Sequence, residues 1–333
     1  MIAMFVMFIV FIALETCQEK YKCIFGHQAS YILIIGISIS AIIRYAGGED
    51  NKYMDMFEFN DELFFYICLP PIIFASGFNM QRGNFFANLK MVMIFGVIGT
   101  IVSFTMFSLM TVKISEMYPM QAFNGTTGKW EALKMEAREI VLMSSLLCSS
   151  DVIAAVSLVS YDKEPRLFSI IFGEGITNDA VSIILFNTVL RYTSTNVEFT
   201  WSSPFSISGG FVLLGFLSLL IGLAFGCASA LFLKYFRSFQ HSAINQAVIL
   251  ISFAYISYVS SELLHQSGII SLLVCGIAQA HYTFYNLSSL GQHASYVVFQ
   301  FISFIMEAFV FIYLGFSFFT FTELRWCPSL III

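Results

Sequence analysis

The sequence predicts an all-α polytopic membrane protein, and three observations carry that prediction. Apolar residues make up 58% of the 333-residue chain and charged residues only 11%, where soluble domains carry roughly 25% charge. The mean hydropathy is +0.81. The apolar residues gather into ten runs, most of them long enough to cross a bilayer as helices rising ~1.5 Å per residue.

The runs cover approximately 1–14, 29–46, 61–78, 90–112, 139–160, 167–191, 207–234, 244–264, 267–283 and 295–320. The first has no basic n-region and no small-residue cleavage site, so it reads as a membrane helix, short for a span, rather than a signal peptide. The run 267–283 is marginal in length. Seven cysteines (17, 23, 68, 148, 227, 275 and 327) are scattered without disulfide or metal-site spacing and read as buried free thiols. No cofactor, resident metal or nucleic-acid partner is expected; the bilayer is the expected environment.

The connecting loops alternate between two sets. Loops 15–28, 79–89, 161–166, 235–243 and 284–294 are short and, with their helix ends, hold Lys20, Lys22, Arg82, Lys90, Lys163, Arg166, Lys234 and Arg237. The other set includes the acidic loop 47–60 and the longer loop 113–138, and it carries as many basic residues. Short loops weigh most in the positive-inside rule, which assigns the first set to the cytosol. The sequon at Asn124 in loop 113–138 then falls on the lumenal or external face, and the sequon at Asn286 on the cytosolic face, where it stays unused.

Polar groups inside the runs are the functional candidates. In run three, Leu69-Pro70-Pro71 removes two backbone donors and predicts a kink, serving either packing or a cavity. In run five, Ser144, Ser145, Ser149 and Ser150 precede Asp151. Serines bond nearby backbone and suit a local break that presents free carbonyls to an ion, the alternative being an Asp151 satisfied by hydroxyls in a continuous helix. Run six holds Glu174, Asn178 and Asp179. A carboxylate at mid-bilayer costs at least ~2.5 kcal/mol and is read as functional by default. Glu174 and Asn178, four apart, share a face, while Asp179 is turned by ~100° from Asn178 and need not serve the same neighbour. Gly173 and Gly175 admit another helix closely. Glu262 and His281 sit at helix ends and read as interfacial, and Glu307 reads as buried.

Asp151, Glu174, Asp179 and Glu307 therefore lie in apolar spans while Lys and Arg fall in loops or at helix ends. Such carboxylates must be neutral, bind cations or pair with groups elsewhere. The final Pro328–Ile333 stretch reads as the start of another span. The expectation is a C-terminally truncated chain whose missing part supplies at least one buried arginine.

These residues carry a family resemblance. The series Phe64-Phe65 with Leu69-Pro70-Pro71-Ile72-Ile73-Phe74, Phe85-Phe86, Phe95 to Thr100, Phe172-Gly173-Glu174-Gly175, Asn178-Asp179-Ala180, Ser267-Gly268-Ile269, His281-Tyr282-Thr283 and Glu307 to Phe311 resembles the eukaryotic sodium/proton exchangers. These belong to the monovalent cation:proton antiporter superfamily, and the likeness is greatest to their plant-vacuolar and endosomal branch. The resemblance implies an inverted-repeat fold with discontinuous crossing helices: 1–192 as a first repeat, 207–234 as a linking helix and 244–333 as part of a second. It implies electroneutral exchange of Na⁺ or K⁺ for H⁺ by alternating access in an endomembrane homodimer. Asp179, Asn178, Asp151 and Ser150 match the ion-binding positions, although Val152 departs from the family's usual Pro or Ser. Glu174 and Glu307 match structural ion-pair positions, and Phe65, Leu69, Pro70 and Pro71 the inhibitor region.

Two other classes were open to the sequence. An inactive fragment or structural partner subunit follows if the second repeat is incomplete. An intramembrane aspartyl protease needs two membrane aspartates, but Ser-Asp-Val and Asn-Asp-Ala lack the glycine that flanks the aspartates of such enzymes.

Overall fold

The computed structural model describes residues 2–21, 28–47, 59–80, 82–117, 120–124, 129–133, 135–149, 159, 163–194, 203–318 and 325–326. They form helices α1 (Ile2–Tyr21), α2 (Gln28–Gly47), α3 (Asp61–Phe78), α4 (Arg82–Ala87), α5 (Leu89–Met117), α6 (Ala137–Leu147), α7 (Pro165–Ser194), α8 (Ser203–Tyr235), α9 (Ala243–Leu263), α10 (Gly268–Asn286) and α11 (Ser289–Ser317). One small sheet joins β1 (Met120–Asn124), β2 (Lys129–Leu133) and β3 (Arg325–Trp326) in the order β2-β1-β3. Among the described residues, seven helices are long and apolar enough to cross a membrane, and two shorter apolar helical stretches, Phe5–Leu14 and Ala29–Ile43, stand before them. The chain is an all-α polytopic membrane protein.

Packing divides the chain into two compact units: Met1–Ile72 with Gln121–Glu131 and Phe301–Pro328, and Ile73–Met120 with Ala132–Gln300 and Ser329–Ile333. In the first, Met7 and Phe11 of α1, Ile32 of α2 and Ala308, Ile312 and Phe316 of α11 form one buried cluster. The helices approach so closely there that a Cβ on Gly36 would stand 2.9 Å from the Gly315 Cα. Asn60 starts α3: its Oδ1 accepts the Leu63 N–H at 3.0 Å, and its own N–H donates to the Tyr313 hydroxyl at 2.8 Å.

The proline pair in α3 is accommodated by a widened turn. Phe64–Cys68 is π-helical, and the Leu69 N–H, the last donor before the prolines, bonds back to the Phe64 carbonyl. A five-residue turn gives the proline rings room beside the preceding carbonyls.

In the second unit α10 is the most enclosed span, with 67% of its apolar window buried against 17% in α5. Such enclosure requires small residues. Gly222 and Gly226 of α8 seat its backbone on Ser271, Cys275 and Ala278 of α10, a small-xxx-small contact of the kind that packs membrane helices. Hydroxyls tie the same helices: Ser218 Oγ accepts the Ser267 N–H at 2.9 Å, and Ser229 and Thr283 hydroxyls meet at 2.8 Å; Ser257 of α9 meets Ser271 of α10 at 2.6 Å. Helix α9 ends in a Schellman turn, with His265 N–H on the Glu262 carbonyl and Gln266 N–H on the Ser261 carbonyl. His265 takes the left-handed φ of 55° that such a turn demands.

Candidate functional site

The site forms where α5, α6 and α7 meet. Glycines let α5 and α7 touch: a Cβ on Gly96 would lie 2.6 Å from the Thr177 Cβ, and one on Gly173 would lie 2.7 Å from Val92 and 3.0 Å from Phe85. Gly173 thus does what its sequence context predicts. Ile94–Gly99 of α5 is a π turn, a distortion common at functional sites, and Thr100 follows it.

Thr100 and Asn178 are each 3% exposed. The Thr100 hydroxyl donates to Asn178 Oδ1 at 2.6 Å and also lies 2.5 Å from the Gly96 carbonyl oxygen, sharing one proton between two acceptors. Asp179, one residue on, is exposed rather than enclosed by protein, and its Oδ1 accepts from the Ser149 hydroxyl at 2.5 Å. The ~100° step per residue thus sends Asn178 to α5 and Asp179 to the end of α6.

Helix α6 ends inside its apolar run. Its last helical residue is Leu147, its C-cap is Cys148, and Ser149 is already outside the helix. The serine-rich sequence predicts a break at this level. One turn away, the Ser182 hydroxyl donates to the Ser145 carbonyl at 2.6 Å, and Cys148, Val181 and Leu185 form an apolar cluster with Val97 and Phe104. These contacts fix α6 against α7. A cavity of about 600 Å³ opens between the three helices, lined by Phe95, Thr100, Ser103, Ser149, Glu174 and Asn178 among others.

The structure places Asn178 and Glu174 on the wall of one cavity and joins Asp179 to it through Ser149, while Ser150 and Asp151 lie outside the described residues. Glu174 is half-buried on the cavity wall, one turn before Asn178. Glu307, Phe65, Leu69, Pro70 and Pro71 belong to the other unit, Phe65 exposed and Pro70 buried. Asn124 ends β1, opposite Arg325. Two site residues carry no mark in the sequence: Ser149 is one serine in a run of them, Thr100 is the last residue of the Phe95–Thr100 motif, and neither bears a charge.

Glu262 sits at the end of α9, as the sequence suggests, whereas His281 lies within the π-helical stretch Gln279–Thr283 of α10, short of its end. The Glu262 carboxylate accepts the Gly268 N–H at 2.9 Å and caps α10, and exposed His281 packs edge-on against Phe86. Of the cysteines, 68, 148 and 275 are buried free thiols, 227 is half-buried and 17 exposed, while 23 and 327 lie outside the described residues. Among the described residues no three His, Cys, Asp or Glu gather to hold a resident metal. The donors present are carboxylate, amide and hydroxyl oxygens, which suit hard cations.

The fold and site together define a polytopic membrane protein with a carboxylate and neutral oxygens on close-packed helices beside a cavity. A family model described as sodium/hydrogen exchanger, transmembrane, matches residues 6–333, and the chain belongs to that family. It is 33% identical over 317 residues to the endosomal/prevacuolar sodium/hydrogen exchanger of Saccharomyces cerevisiae, covering 95% of this chain and 47% of that protein. It is 32% identical over 284 residues to sodium/hydrogen exchanger 3 of Arabidopsis thaliana (85% and 53%) and 30% identical over 326 residues to sodium/hydrogen exchanger 8 of Gallus gallus (94% and 54%). The chain spans about half the length of these curated relatives.

Proposed function

We propose that the protein exchanges Na⁺ or K⁺ for H⁺ across a membrane, electroneutrally, through competition for Asp179. The relatives' names, which specify sodium and hydrogen, support the substrate class. The observation that carries the site is the Asp179–Ser149 contact beside the buried Asn178–Thr100 pair. A bare carboxylate at membrane depth is costly, and either a proton or a monovalent cation removes that cost. Only the two neutralised forms cross the apolar barrier cheaply, so the two fluxes are coupled without covalent chemistry. Asn178, with Ser150 and Asp151, supplies further oxygens to the cation. Glu174 and Glu307 are members of structural ion pairs, and Phe65, Leu69, Pro70 and Pro71 form the inhibitor region.

Alternating access follows from two inverted repeats, 1–192 and 244–333, joined by 207–234 and rocking as a homodimer. The endosomal/prevacuolar relative supports an endomembrane location. The test is cation-driven pH change in proteoliposomes of the full-length protein. Asp179→Asn is expected to abolish it, and exchange that persists in this variant removes the assigned role.

A further inference from the structure

We propose that Ser149 is a direct ligand of the transported cation and serves every state of Asp179 by turning its hydroxyl; the inference rests on the exchange reading above. Three serines of the run in and after α6 are described, and they differ in where the hydroxyl proton goes. Ser144 donates to the Ile140 carbonyl at 2.8 Å and Ser145 to the Leu142 carbonyl at 2.6 Å, both within their own helix. Ser149 lies past the C-cap and donates across to Asp179 on α7. Because α6 has ended, its hydroxyl is not drawn back to a carbonyl one turn earlier. Ser149 also lines the cavity with Asn178, Thr100 and Ser103, so a cation that reaches Asp179 from the cavity would lie within reach of its hydroxyl.

A serine hydroxyl has one donor and two acceptor lone pairs. With Asp179 ionised and no cation on it, the hydroxyl donates to the carboxylate across the Ser149–Asp179 contact. With Asp179 protonated, Oγ accepts the acid's proton. With a cation bound, Oγ turns a lone pair to the ion. Each change is a rotation about the Cβ–Oγ bond; no covalent bond forms or breaks, and no further proton is needed. The carboxylate is therefore accompanied by an oxygen partner in all three states.

The experiment compares wild type, Ser149→Ala, Ser149→Cys and Ser149→Thr of the full-length protein in proteoliposomes, reading half-saturating Na⁺ and maximal exchange rate separately. Alanine removes the oxygen, and cysteine keeps the size with a soft sulfur that suits Na⁺ poorly. Both are expected to raise half-saturating Na⁺ about 5- to 10-fold, in keeping with the loss of one polar ligand, with a smaller effect on maximal rate. Threonine, which keeps the hydroxyl, is expected to recover most of the loss. Na⁺-dependent thermal stabilisation of the purified variants should rank them in the same order and covers any variant too weak to assay by flux. Wild-type half-saturation in both the alanine and cysteine variants overturns the ligand role, as does a threonine variant as impaired as alanine. A wild type that exchanges no cation overturns the exchange reading and the ligand role together, whereas an active wild type with unaffected variants overturns only the latter.

Discussion

Replacing Gly226 by alanine tests how α8 and α10 are held together. A Cβ at 226 would stand 2.5 Å from the Ala278 Cβ and 3.2 Å from the Cys275 carbonyl oxygen, whereas ordinary contacts run 3.4–4 Å. Neither methyl has a rotamer to turn away, so the backbones must part until 2.5 Å becomes at least 3.4 Å. The Ser229–Thr283 hydroxyl pair lies at the same level, 2.8 Å apart and fully buried. A parting of that size stretches it beyond hydrogen-bond range. Overpacking costs about 1–3 kcal/mol, and a broken buried pair about as much again. Alanine's better helix propensity returns about 1 kcal/mol, leaving a net loss of about 1–5 kcal/mol. Gly209, on the same helix, has nothing within 4 Å of its Cβ position, so Gly209→Ala should gain a few tenths to about 1 kcal/mol. The assay is thermal unfolding in a single detergent, followed with a thiol-reactive fluorogenic maleimide that reaches the fully buried Cys275 only on opening. Gly226→Ala should melt several degrees below wild type and Gly209→Ala at or above it. Shifts of the same sign, or a Gly226→Ala protein as stable as wild type, would refute the close-packing argument.

Three further outcomes are expected. His265→Gly should stabilise the protein by about 0.5–1 kcal/mol, because glycine takes the left-handed φ of 55° without a Cβ penalty; a lower melting temperature would mean that the imidazole itself contributes. Glu262→Ala should lose about 1 kcal/mol with the cap on Gly268, while Glu262→Gln, which keeps an acceptor oxygen, should lose only the few tenths owed to the helix dipole; equal melting temperatures for the two would exclude capping. In a eukaryotic secretory host, Asn124→Gln should remove a glycan seen as a gel-mobility shift, and Asn286→Gln should change nothing. The Asn286 amide already donates to the Ala230 carbonyl at 3.1 Å, so a shift on its replacement would contradict both the loop assignment and the packing.

Sequence alone determined the membrane architecture. The runs 29–46, 61–78, 167–191 and 244–264 reappear as α2, α3, α7 and α9 with ends shifted by a few residues, because a helix in lipid must satisfy every backbone group internally and its length must match the bilayer. Family membership was legible for a similar reason: Asn178-Asp179 and Leu69-Pro70-Pro71 are costly in a membrane span and stand out against an apolar background. What the loops contained was not legible. The short sheet, which pairs β1 in loop 113–138 with β3 near the other end of the chain, and the small helix α4 follow from backbone hydrogen bonding that hydropathy does not register.

The partners of the marked residues were decided only in three dimensions. Sequence spacing shows that Asn178 and Asp179 face different ways; it does not show that one meets Thr100 and the other Ser149, 78 and 30 positions away. Those meetings depend on a widened turn in α5, on the glycines that let α5 approach α7, and on where α6 stops. A charge in an apolar run can be seen from its own position, because the cost of burying it is local. A neutral hydroxyl becomes part of a site only when packing places it within hydrogen-bond distance of another helix, and that is a property of the assembled helices.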